Sequence, residues 1–429
     1  MSRRLAAATV MLLSFGLLGA APAPAPSPAP VSVPDPVRAA QYWLDDYGIR
    51  EAWETTRGAG TRIAIIDTGV ARGPVELGGV VAGADFSGLG SPDGRTPVGA
   101  VDAAHGSLVA SLAAGRGTGP DAGVIGVAPE AELLSLSLSF GAAASTPFAD
   151  QVAEAMRWAV DHGADVINLS FTTNTLDWPQ SWDDAFLYAL EHDVVVVVAA
   201  GNRGSGTDRV GAPATIPGVL TVGGVDRTGK ASVEASTQGI TIGISGPSED
   251  LLGVSPDGNI VQWNGTSGAA PIVAGIAALV RSAHPELDAA NVINRIVKTA
   301  TPAAGASGPR DPLYGYGLVN ASAAVAQPVA AVEANPMGDL REWIRLYRRA
   351  DAAPAPVPTT GPVTVPPLPA ADTVTRPTTP LLPSEHTLVY GTLPLSLATL
   401  AGILVALGVT AATRRIRSAR AQRVPSSQI

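Results

Sequence analysis

The feature that most constrains this chain is a series of short, nearly uninterrupted apolar runs separated by alanine-rich stretches of helical periodicity. Residues 62–66, 133–138, 166–170 and 194–199 are each too short for a stable helix and are rich in Val, Ile and Leu. A strand that is apolar on both faces must be covered on both, and parallel strands joined by helices do this. Between these runs, Val152, Ala155, Met156 and Ala159 recur at helical spacing within residues 151–162. Residues 183–192 read as a second helix, and residues 266–283 as a long alanine-rich one opened by Gly265-Thr266-Ser267. The prediction is an α/β domain over about residues 41–326, with a mostly parallel sheet and helices on both faces. In such sheets chemistry collects at the carboxyl ends of the strands.

Both ends depart from this pattern. Arg3 and Arg4 precede an apolar run closed by Gly19, Ala20 and Ala21, so residues 1–21 read as a secretory signal peptide, with an N-terminal anchor as the alternative. Residues 22–40 form an Ala/Pro-rich arm, and residues 353–386 repeat that bias as a stalk, either extended or a looser tether. Residues 387–413 carry no charge and are long enough to cross a bilayer. Arg414, Arg415, Arg417, Arg420 and Arg423 follow in a basic tail, residues 414–429, and mark the cytoplasmic side. The expected location is therefore the cell membrane, single-pass, with the domain outside the cytoplasm. Residues 327–352 form a terminal helical segment, expected to pack on the domain, with a membrane-surface helix as the alternative.

These ends explain why mean hydropathy is positive. The formal net charge is −9, and the part outside the cytoplasm is more acidic still, which argues against nucleic acid as a partner. The chain has no cysteine, which excludes disulfides, a thiol nucleophile and thiolate metal sites. No calcium-loop signature is present; no cofactor or metal is expected, with calcium left open.

Four polar residues stand where strands end or helices begin. Asp67 ends a strand in Ile65-Ile66-Asp67-Thr68-Gly69-Val70, and Asn202 ends one in Ala199-Ala200-Gly201-Asn202. His105 opens a helix in His105-Gly106-Ser107, and Ser267 opens another in Gly265-Thr266-Ser267-Gly268. Together they can perform acyl transfer. A serine hydroxyl needs a base to accept its proton, imidazole titrates near neutrality, and a carboxylate can hold its tautomer. A helix N-terminus and a side-chain amide can stabilise an oxyanion. Taken singly, each residue could equally serve as a turn, cap or structural group.

In the order Asp…His…Asn…Ser, and with the surrounding boxes, the body resembles the subtilisin-family (S8) serine proteases. Ile-Ile-Asp-Thr-Gly-Val, His-Gly-Ser-x-Val-Ala and Gly-Thr-Ser-x-Ala-Ala-Pro match that family's signatures. The resemblance implies Asp67, His105 and Ser267 as catalytic residues and Asn202 as the oxyanion donor. It implies a substrate groove along Asn168, Leu169, Ser170 and Phe171, faced by Ala199, Ala200 and Gly201, and a cis peptide before Pro213. The flanks look like those of the mycosins, proteases of type VII secretion, which implies that secretion machinery as a partner. Ser107 stands where relatives usually carry Thr, Asn264 where they carry Ser, and Phe171-Thr172 where many carry Leu-Gly, a change by which the β-branched Thr172 is expected either to narrow the specificity pocket or to disturb strand-like docking of substrate.

The implied function is an exported, membrane-anchored serine endopeptidase acting on protein or peptide substrates through an acyl-enzyme. The alternative is a structural component of a secretion complex whose protease activity is dispensable. A serine esterase is disfavoured, because Ser267 lacks a Gly-x-Ser-x-Gly elbow and His105 precedes it in the chain.

Overall fold

The computed structural model describes residues 35–99, 102–141, 144–348 and 388–421. The signal peptide, most of the Ala/Pro arm, the stalk and the end of the basic tail lie outside the described residues. The chain divides into two units, Met1–Ala353 and Pro354–Ile429.

The first unit is built on seven parallel strands: β1 (Arg62–Asp67), β2 (Val80–Asp85), β3 (Glu132–Ser137), β4 (Val166–Leu169), β5 (Val195–Ala199), β6 (Leu220–Val225) and β7 (Ile242–Pro247). Their order is β2-β3-β1-β4-β5-β6-β7. A separate antiparallel hairpin joins β8 (Leu251–Val254) and β9 (Ile260–Trp263). The four runs expected as strands are β1, β3, β4 and β5, within a residue or so at each end. The edge strand β2 escaped notice because it is half-exposed and its register shifts between Val80 and Ala82. β7 escaped because Gly243, Ser245, Gly246 and Pro247 dilute its apolar pattern.

Helices cover both faces, after three short ones near the start, α1 (Pro36–Ala40), α2 (Trp43–Asp46) and α3 (Ile49–Ala52). α4 (His105–Ala114), α7 (Thr266–Ala283), α8 (Ala289–Lys298) and α9 (Ala321–Ala326) share one core with Ile63, Ile65, Val195 and Val197. α5 (Phe148–Asp161), α6 (Gln180–Glu191) and α10 (Leu340–Tyr347) share the other with Ala64, Ile66, Val196 and Val198. Side chains alternate across a strand, so consecutive residues of β1 and β5 feed opposite cores. This is why those strands read as continuous apolar runs. α5 ends where Gly163 takes φ 72° and the Ala164 N–H returns to the Ala159 carbonyl at 3.0 Å, a Schellman-type stop.

Two helices among the described residues are long and apolar enough to cross a membrane, and their surroundings differ. α7 is as long and apolar as a membrane span, yet nearly every residue of it is buried in the domain. In the second unit, helix Leu393–Ala421 is a candidate membrane span whose apolar side chains are exposed. α10 packs on its own domain: Leu340 is buried, the Trp343 ring lies 4.3 Å from that of Trp178, and Arg348 donates to Asp183 at 2.8 Å. The Asp339 carboxylate caps it by accepting from the Glu342 N–H at 3.1 Å.

Phe186 is fully buried on α6 in the second core. Phe186→Ala should cost roughly 3–5 kcal/mol. In a thermal melt of the detergent-solubilised protein it should lower the unfolding midpoint by roughly 5–15 °C. A midpoint within about 1 °C of wild type would contradict this packing.

Candidate active site

Asp67 is the last residue of β1, the central strand of the sheet's first half, and is fully buried. A buried carboxylate must be compensated by hydrogen bonds or an opposite charge. Its Oδ1 accepts from the Thr68 N–H at 2.7 Å. His105 Nδ1 lies 2.8 and 2.9 Å from its two oxygens. That is the geometry of an Nδ1–H donated to a carboxylate, and it leaves Nε2 as the free lone pair.

His105 reaches Asp67 because α4 begins unusually close to β1. A Cβ on Gly106 would lie 2.5 Å from the Gly69 carbonyl oxygen, so only glycine permits the approach. Thr68 Oγ1 accepts from the Gly106 N–H at 2.8 Å and donates to the Ala103 carbonyl at 3.1 Å. Ser107 Oγ accepts from the Ala71 N–H at 3.0 Å, so the hydroxyl that relatives carry on Thr has a bonding role here. On its other side the imidazole meets Trp263 of β9 edge-on, with ring centroids 5.8 Å apart.

Burial pulls the His105 pKa down, but the charge of Asp67, its hydrogen bond and the more distant charge of Asp102 outweigh this. The net effect raises it above the ordinary imidazole value.

Ser267 lies in the first turn of α7, where backbone N–H groups have no intrahelical acceptor. Its hydroxyl donates to the Ser170 carbonyl at 3.0 Å rather than to His105. The reverse bond also exists, from Ser170 Oγ to the Ser267 carbonyl at 2.9 Å. Pro271 explains the second bond. Four residues on, it lacks the N–H that would have bonded the Ser267 carbonyl within the helix, and Ser170 supplies a donor instead. Asn168 Nδ2 in turn donates to Ser170 Oγ at 2.9 Å.

Asn202 follows β5 with its amide orientation set by Thr266. Its Oδ1 accepts from the Thr266 N–H at 2.8 Å and from Thr266 Oγ1 at 2.9 Å, so Nδ2 has no acceptor among the described residues. Gly265, at φ 145°, lets the backbone pass. A Cβ there would sit 3.1 Å from Asn202 Nδ2.

His105, Ser267 and Asn202 line one cleft of about 310 Å³, together with Ser170, Phe171, Thr172, Ala199, Gly201, Thr207 and Phe140. Of the groove residues expected from sequence, Ser170, Phe171, Ala199 and Gly201 line it. Asn168, Leu169 and Ala200 do not: their side chains are fully buried, and Asn168 acts through Ser170. Sequence reading missed Phe140, Thr207 and Asp102, which also border the cleft. Only Asp102 carried a signal, as a carboxylate three residues before His105. Pro213 follows a cis peptide bond, as the resemblance implied. Among the described residues, no group of three or more His, Asp or Glu is placed to hold a metal ion. The arrangement can activate a hydroxyl and stabilise an oxyanion, the two requirements of acyl transfer.

Residues 58–317 match the subtilase family, peptidase S8. The chain is 36% identical to mycosin-4 of Mycobacterium tuberculosis, covering 64% of this chain and 67% of that one. It is 34% identical to subtilisin DY of Bacillus licheniformis, over 62% of this chain and 92% of that one. Its fold matches the crystal structure of MycP1 with the N-terminal propeptide removed, with TM-score 0.58 and 31% identity, covering 70% of this chain and 99% of that one. The structure of the MycP3 protease of the type VII (ESX-3) secretion system matches with TM-score 0.56 and 35% identity, over 67% of this chain and 88% of that one. The chain belongs to the subtilase family and is a mycosin-like serine endopeptidase.

Proposed function

We propose that Ser267 is the nucleophile, His105 the general base, Asp67 its orienting carboxylate and Asn202 the oxyanion donor of an exported, membrane-anchored endopeptidase. The observation that carries this reading is the 2.8 Å Asp67–His105 pair opening onto the same cleft as Ser267 and Asn202, whose Nδ2 has no acceptor among the described residues. An extended substrate pairs its backbone with residues 170–172 and engages the Ser170 carbonyl. That frees the Ser267 hydroxyl, which turns to His105 Nε2. Attack on the peptide carbonyl then passes the serine proton to His105. The new oxyanion is held by Asn202 Nδ2 and the Ser267 N–H at the positive end of α7. His105 returns the proton to the leaving amine, and water resolves the acyl-enzyme by the same route.

Anchoring rests on helix Leu393–Ala421 and the arginines at its end. Export rests on the leader-like residues 1–21. A link to type VII secretion rests on likeness to MycP1 from the ESX-1 type VII secretion system, at 30% identity.

Ser267→Ala should abolish both peptide hydrolysis and labelling by a fluorophosphonate; retained labelling would move the nucleophile elsewhere. Asn202→Ala should lower kcat by roughly 10²–10³. That magnitude is carried over from the oxyanion asparagine of subtilisin itself, and a loss under about threefold would remove Asn202 from the mechanism.

His105 must be neutral to accept the proton, so kcat/KM should rise with pH through an inflection above the ordinary imidazole value. Asp102→Asn removes one of the charges that raise this pKa and should move the inflection to lower pH. A pH–rate profile with the inflection unmoved, or moved up, would contradict the assignment. In cell fractionation, the full chain should stay with membranes through an alkaline wash, whereas a chain ending before Leu388 should be released. Equal retention of the two would rule out the helix as the anchor.

A further inference from the structure

The recess next to Ser267 is lined by Ser170, Phe171 and Thr172 and by Ala199 and Gly201. When a peptide carbonyl sits between Ser267 and the Asn202 amide, the side chain of that same residue enters this recess. Gly201, at φ 101°, leaves one wall bare, and the buried Gly211, just before the cis Ala212–Pro213 bond, lies behind Thr172 outside the lining.

Thr172 occupies the space that these glycines leave. A Cβ built on Gly201 would lie 3.2 Å from Thr172 Cγ2, and one on Gly211 would lie 2.9 Å from Thr172 Oγ1. The threonine thus packs beside both glycines and narrows the recess at Gly201. Thr207 adds a second methyl, 2.6 Å from the same Gly201 position.

Neither side chain is free to swing away. Thr172 is β-branched and stiff about χ1. Its Oγ1 accepts from the Asn174 N–H at 3.4 Å, and Thr207 Oγ1 donates to Asn174 Oδ1 at 2.6 Å. The strand itself is pinned by the Thr173 N–H donating to the Ala212 carbonyl at 2.8 Å.

We infer that Thr172, backed by Thr207, makes this a shallow subsite that selects substrates cut after a short side chain (alanine, serine or glycine) and rejects large apolar and aromatic ones. The inference rests on the peptidase reading above and names its substrate class. Close-packed walls resist added volume, so rejection is steric and resides in the acylation step.

The test uses the full chain in detergent and two chromogenic tetrapeptide anilides that differ only in ending with Ala or Phe. Wild type should favour the Ala substrate in kcat/KM by roughly 10–100-fold. Thr172→Gly should raise kcat/KM for the Phe substrate relative to the Ala substrate by at least about tenfold. Equal wild-type rates on the two substrates would overturn the inference without any variant. A Thr172→Gly protein that still labels with fluorophosphonate but gains nothing on the Phe substrate relative to the Ala substrate would overturn it too. Hydrolysis of neither peptide by a wild-type protein that also fails to label would instead sink the peptidase reading itself.

Discussion

The structure around the active site is organised by one constraint, a carboxylate with no exposure to water. Asp67 ends a central strand inside the domain, and an ion there persists only if its oxygens are fully engaged. One donor is local, the N–H of Thr68. The other is the imidazole of His105, thirty-eight residues on, and bringing it within 2.8 Å dictates much else. The Gly69–Gly106 approach, the Thr68 clamp on the first turn of α4 and the Ser107 bond to Ala71 all bring that helix start against that strand end. The cleft forms where this junction meets the start of α7.

A second organising element is the first turn of α7. Pro271 would be a defect in most helix interiors. Here it frees the Ser267 carbonyl, which takes the Ser170 hydroxyl, and so ties the nucleophile's backbone to the substrate-facing strand end. Thr266 does the same on the other side by holding the oxygen of the Asn202 amide and leaving its nitrogen for the cleft. Ser267, the residue-170 end of β4 and Asn202 are therefore mutually braced by short polar bonds, two of them through Thr266.

Much of the site is legible in the amino-acid sequence, because its members sit in local motifs. A strand ending in Asp-Thr-Gly or a helix starting at Gly-Thr-Ser is visible within six residues, and the direction of a parallel sheet collects such ends on one edge. The groove is less legible. Ala200 lies between the lining Ala199 and Gly201, and alternation sends its side chain the other way; Asn168 and Leu169 are still inside β4, buried below the strand end where the lining begins. Phe140 and Thr207 line the cleft from loops with no periodic signal, so only their three-dimensional neighbours reveal them.

By itself the sequence determined the class of fold and the class of chemistry, and it singled out the residues proposed to perform it. Continuous apolar runs permit only a doubly covered sheet, and acyl transfer needs particular side chains that no packing can substitute. Tertiary structure added what surrounds the two long apolar helices, α7 being buried in the domain and Leu393–Ala421 exposing its apolar side chains, in keeping with the separate readings of the two stretches in the sequence. It also decided that the aromatic segment before the stalk docks on the domain through Trp178 and Asp183. Above all it placed Thr172 between Gly201 and Gly211, residues far apart in the chain. A specificity pocket is made by the approach of distant segments, and its depth is set by distances that no single stretch of sequence contains.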